Sequence, residues 1–174
     1  MNKKRIIKQS LLAVVLILVL IDCLSVRYVN KNKMISALET TFGLEASNDY
    51  EPNTYQVSEH GDKCHISAAF ISDEGSIHID YEKFESSFDA RLDFKDRYLR
   101  FDKSTSEDVD KGQAHKFVKL IGIRGGYFIY DSDMVFLGIY CVDDVVIQVH
   151  NLSLDGSNHE ETKAFLKKLG LPAK

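Results

Sequence analysis

A chain of 174 residues, 44% hydrophobic and 28% charged, is long enough for one folded domain, and with two prolines and no low-complexity tract it lacks the make-up of a disordered or fibrous protein. Its 22 Lys and Arg stand against 26 Asp and Glu, a net charge of −4, and no cluster of basic residues interleaved with aromatics follows Lys33. That balance argues against nucleic acid as a partner, because a phosphate backbone is held by surplus positive charge.

Lys3, Lys4, Arg5 and Lys8 precede an unbroken apolar run, Leu11 to Ile21, which has no polar stripe at any period. A helix of that kind is greasy on every side and does not suit half-burial on a soluble core. Extended from Gln9 to Val26 it measures about 27 Å, against a hydrocarbon layer of about 30 Å, with Asp22 near the far interface. Three fates fit the segment: an uncleaved anchor, a secretory signal cut after Ser25, or a lipidated Cys23, although Asp22 stands where lipoprotein signals carry a small residue. The anchor is the expectation taken forward. The basic leader keeps residues 1–8 in the cytoplasm, residues 9–26 form the single-pass membrane segment, and residues 27–174 form one extracytoplasmic domain at the cell membrane. Without the leader and Asp22 the remainder holds 18 basic and 25 acidic residues, so the exported part is acidic.

In chain order, "NKMISALETTFG" predicts a short helix with Asn32 as N-cap, Met34, Ile35, Leu38 and Phe42 inward, and Gly43 as the stop. Arg27–Asn32, Ala46–Asn53 and Lys103–Gly112 are expected to be irregular polar links. "KCHISAAFI" and "SIHIDYEKF" alternate at period two around "SDEG", which predicts a hairpin with Gly75 at positive φ. Its inward sets are Cys64, Ile66, Ala68 and Phe70, and Ile77, Ile79 and Tyr81. "SSFDARLDFKDRYL" carries a capping box, Ser86 with Asp89, and predicts a helix whose apolar positions are Phe88, Leu92 and Leu99; a second hairpin turning at "KD" is the alternative. "AHKFVKLIGI", "GYFIY", "MVFLGIYC" and "VVIQVHNL" are separated by "RGG", "DSD" and "VDD" and predict an antiparallel meander. "SNHEETKAFLKKLGLP" predicts a closing helix capped by Ser157, with Phe165, Leu166 and Leu169 buried and Gly170 and Pro172 ending it. The fold class expected is α+β, a curved antiparallel sheet with helices packed on one face.

Chemistry-bearing residues are few. His65, His78 and Asp80 fall on the solvent face of the hairpin and form a candidate two-histidine, one-carboxylate metal set if the two histidines sit opposite each other. Cys64 and Cys141 are the pair available for a disulfide after export, or else two buried thiols. Tyr127, Tyr130 and Tyr140 are candidate interface aromatics, with burial in the core as the competing role. Asp131, Asp133, Asp143 and Asp144 lie in turns and could share a Ca²⁺ only if those turns lay together. No serine or cysteine has the neighbours of a nucleophile, and "GIRGG" lacks the Lys-Ser/Thr of a phosphate loop.

"IHIDYEKF" running into "SSFDARLDF", then "GGYFIY", "VFLGIYCVDDVVIQVH" and "EETKAFLKKLG", resembles a loose group of small exported or membrane-anchored proteins of Gram-positive bacteria. The resemblance spans most of the chain from Ile77 and implies an exported α+β domain with no particular reaction. By elimination of the chemistries above, the expected function is a membrane-tethered, extracytoplasmic binding or interaction domain without enzymatic activity or cofactor, its partner a protein or cell-envelope component. The alternatives are a metal-dependent hydrolase using His65, His78 and Asp80, and a structural subunit of a membrane complex.

Overall fold

The structure is a computed structural model that describes residues 28–49, 51–107, 113–117, 126–153 and 158–173, with backbone alone for 102–107, 113–117 and 158. The proposed membrane segment, residues 9–26, lies outside the described residues, and among those described no helix is long and apolar enough to cross a membrane. In chain order the elements are α1 (Lys31–Phe42), β1 (Glu45–Ala46), β2 (Thr54–His60), β3 (Lys63–Ser72), β4 (Gly75–Lys83), α2 (Ser87–Glu107), β5 (Gln113–Phe117), β6 (Gly126–Asp131), β7 (Val135–Val142), β8 (Val145–Ser153) and α3 (Asn158–Leu169).

All eight strands join one sheet in the order β1-β2-β3-β4-β8-β7-β6-β5. Only the two-residue β1 pairs in parallel; every other pair is antiparallel, so the sheet is mixed at one edge. It is two meanders laid side by side. β2-β3-β4 and β5-β6-β7-β8 meet where β4 pairs with β8, and α2 is the connection between them.

The expectation that all helices pack on one face is wrong. α1 and α3 cover one face, where Met34, Leu38, Phe42, Phe165, Leu166 and Leu169 meet Ile66, Ile79, Tyr81, Tyr140, Ile147 and Val149. On the other face α2 brings Ala90 and Phe94 against Phe128, Leu137, Ile139, Cys141 and Val146. The reason is legible in β7: Phe136 to Val142 is apolar at both parities and buried throughout, and a strand without polar alternation needs cover on both sides. The second cover shields only part of its face, and the hydrophilic residues of β3 and β4 there remain open.

Local signals placed most ends. The side chain of Asn30, not Asn32, caps α1 by accepting from Lys33 N–H at 2.8 Å, and Gly43 in the left-handed region closes it. Ser86 caps α2 as its spacing with Asp89 predicts, its hydroxyl accepting from Asp89 N–H and donating to the Asp89 carboxylate. α2 continues to Glu107 across part of the expected polar link, since no glycine or proline interrupts it. The β3-β4 hairpin has the predicted turn and inward sets, with Phe70 half-buried at the core's rim. β2 was not anticipated: exposed from Val57 to His60, its sequence carries too few apolar positions to show alternation. Ser157 lies outside the described residues, while Phe165, Leu166 and Leu169 are buried as expected and Leu171 N–H bonds back to Leu166 C=O beyond Gly170.

The helix α2 gives the largest local surprise. Phe88, Leu92 and Leu99, taken as its inward stripe, are 65%, 52% and 39% exposed, and Ala90, Phe94, Tyr98 and Phe101 face the sheet instead. Phe94→Ala is expected to cost about 3 kcal/mol in urea unfolding, the usual cost of emptying a buried ring site, whereas Leu92→Ser should stay within about 0.5 kcal/mol of the parent.

Candidate functional site

The residues with chemical potential were sorted by the sheet. His65, His78 and Asp80 do share the open face, yet the register sets His65 against Glu82 and His78 against Ala69, so the two histidines are not opposite each other. His65 Nε2 lies 3.4 Å from Asp80 Oδ1, while His78 faces His150 across β8. Burial and then the facing His78 push the His150 imidazole below its ordinary range. Among the described residues no three histidine, cysteine or acidic side chains are grouped to hold a metal ion. Beside them Arg97 of α2 reaches the sheet, 2.6 Å from Glu82 Oε2 and 2.6 Å from Asp93 Oδ2, and donates to Gln148 at 3.4 Å. This is a fastening of α2 to β4 and β8.

Cys64 and Cys141 form no disulfide; both are free and buried. Cys64 sits on β3 beneath α1 and α3, and Cys141 on β7 beneath α2. With β4 and β8 between them they are about 14 Å apart in the sheet, at roughly 4.8 Å per strand, and point to opposite faces. Burial raises both thiols, Cys141 to about 12, so neither is a nucleophile at neutral pH. Thiol titration should find both unreactive in buffer and both modified in denaturant; protection that survives denaturation but is lost to reductant would contradict this pairing-free arrangement.

The tyrosines separate in the same way. Tyr140 is fully buried and donates to Pro172 C=O at 2.8 Å, so its place is the core and not an interface. Tyr127 packs beside it with ring centres 6.5 Å apart, and Tyr130 belongs to the opposite face against the α2 cluster. The acidic turns also part company: Asp131 and Asp133 lie before β7 and Asp143 and Asp144 after it, at opposite ends of an eight-residue strand.

Asp131 is instead bound into the first face. Its carboxylate stands 3.1 Å from Lys163 Nζ and 3.3 Å from Nδ1 of His159, a buried residue in the first turn of α3 that sets its ring edge-on to Phe136. Burial lowers the His159 pKa, with Asp131 opposing and Lys163 adding to the shift. An imidazole lowered in the fold takes up a proton more readily when unfolded. Its contribution to stability is intact above the ordinary value of 6.5 and is lost as the pH falls below it. Urea midpoints measured from pH 7.5 to 5.5 should therefore drop, and His159→Gln should flatten that drop; an unchanged slope would assign it to other groups, His150 among them.

At the end of the sheet where the described chain begins, Tyr28, Lys31, Lys63 and Lys83 line a cleft of about 280 Å³ with Cys64 and Tyr81. Each of its lysines meets a carboxylate: Lys31 with Glu59 at 2.8 Å, Lys63 with Glu85 at 3.4 Å, Lys83 with Asp144 at 4.0 Å. The cleft thus offers no surplus cation for an anionic ligand.

What stays unsatisfied is the outer side of α2. At about 100° per residue, Phe88, Leu92 and Leu99 fall within about 40° of one another and face away from Ala90 and Phe94. They form an apolar ridge on a helix already buried on its inner side. Sequence periodicity identified this stripe but assigned it to the wrong environment. Protein-family models give no match to the chain, and neither the curated proteins nor the solved structures give a significant one.

Proposed function

We propose that this chain is a membrane-tethered, extracytoplasmic interaction domain that binds a protein or cell-envelope component through the outer face of α2. The observation that carries the reading is the ridge of Phe88, Leu92 and Leu99. Three large apolar side chains aligned on one exposed helix face are an arrangement that partner contact makes favourable and that free solvation does not. The tether is supported by the sequence: the apolar run Leu11–Ile21 follows Lys3, Lys4, Arg5 and Lys8, the pattern that leaves a leader in the cytoplasm and carries the remainder across. Binding is favoured over metal-dependent hydrolysis because, among the described residues, His78 stands against Ala69 and His150 and is not grouped with His65 and Asp80 to hold a metal ion.

The test is a pair of reporter fusions after Lys174, one active only outside the cytoplasm and one active only within it, combined with alkaline extraction of membranes. The outer reporter should be active and the protein should stay with the membrane. Activity of the inner reporter alone would overturn the compartment, and release by alkali would overturn the tether.

A further inference from the structure

We infer that the outer ridge of α2 is the contact between two copies of this chain standing side by side on one membrane, an inference that rests on the tethered reading above. Charge on either side of the ridge selects the partner. Exposed Arg91 and Lys95 flank it on one side; exposed Asp89 and Asp96 lie on the other, a flank that stays acidic on balance although it also holds Arg100, paired to Asp96 one turn on. When two identical helices lie side by side in the same direction, the left flank of one meets the right flank of the other, as in parallel coiled coils. Here that sets bases against acids. In the opposite direction each flank meets its own copy, acid against acid and base against base, which is unfavourable.

The entry point of the chain demands the same direction. Tyr28 shares its cleft with Lys63 and Lys83, and beyond Lys83 come Phe84, whose N–H bonds Asp144 C=O, and Ser86, the cap of α2. α2 thus starts at the end of the sheet where the described chain begins and runs back across the second face. Two copies tethered by their N-termini are related by an axis along the membrane normal. Both α2 helices then start near the membrane and run away from it, the one sense in which the flanks are complementary.

Magnitude explains why the tether matters. Three half-exposed side chains supply far less than the roughly 800 Å² per partner of a stable free dimer. Confinement to one surface raises the effective concentration toward the millimolar range, where a weak contact becomes populated.

The experiment uses the full-length chain in its membrane, with Cys23→Ser to remove the one cysteine outside the described residues and a short bismaleimide added from the exported side. Phe88→Cys and, separately, Leu92→Cys should each yield a species of twice the chain mass, about tenfold more than Leu152→Cys, an exposed control at the far end of β8. Asp96→Lys should abolish the product and Lys95→Glu added to it should restore it, because the swap rebuilds opposite flanks. Yields equal to the control, an adduct of any other mass, or a product indifferent to both charge changes would overturn the pairing. A chain kept by alkali-washed membranes without the doubled species refutes the pairing alone, whereas a chain released by alkali refutes tether and pairing together. Both cysteine variants replace exposed side chains, and matching urea midpoints with the parent will establish that each has folded.

Discussion

Gly75→Ala is expected to destabilise the domain by about 4 kcal/mol, at the upper end of what one substitution does. Gly75 opens β4 after the two-residue turn Asp73–Glu74 and pairs with Ser153 at the far end of β8. Its φ of 151° lies where L side chains rarely go, and a Cβ there would stand 2.1 Å from Leu152 C=O and 3.0 Å from Ser153 Cα. Both obstacles are backbone of a strand paired on two sides, so neither can rotate away as a side chain would. Relief requires β4 to part from β8, the one seam that joins the two meanders. Urea unfolding should show the loss as a lower midpoint at constant slope. A midpoint within 1 kcal/mol of the parent, on the order of the scatter for surface changes, would mean that the hairpin is not seated on β8 as described.

Tyr140→Ala should cost a similar amount, about 4 kcal/mol, and Tyr140→Phe about 1 kcal/mol. The phenol fills the first core between Tyr127 and the chain end, and its hydroxyl reaches Pro172 C=O beyond α3. It lies back over Gly138, where an added Cβ would meet the ring edge at 2.7 Å, so the glycine in β7 is the space that the ring occupies. Truncation leaves a cavity that the sheet cannot close, while the phenylalanine keeps the packing and forfeits one hydrogen bond. If the two variants proved equally costly, the hydroxyl and not the ring would be the main contributor.

These two positions were legible to different degrees. The turn at Gly75 was read from "SDEG", because a tight hairpin states its φ requirement locally. Nothing in "FLGIYC" says that Tyr140 folds over Gly138, and its aromatic character favours the core while leaving an interface role open. The chemical residues suffered the same limit: the two-residue period places His65, His78 and Asp80 on one face, but how far His65 stands from His78 depends on a register that pairs His65 with Glu82. Cys64 and Cys141 were suitable partners in sequence and are separated by two intervening strands.

What the sequence by itself determined is the local grammar: the helix caps at Ser86 and Gly43, the hairpin and its inward set, the strands of the second meander, the closing helix, and the α+β class. These follow from nearest-neighbour sterics, hydrogen bonding and side-chain period, which act over a few residues. Only the tertiary structure decided the pairing of β4 with β8, the helix on the second face, and which stripe of α2 is buried. Both stripes of α2 are apolar, so periodicity could not choose between them. The sheet chose the one where Ala90 permits close approach and Arg97 alongside it reaches Glu82 and Gln148, and that choice left Phe88, Leu92 and Leu99 facing outward.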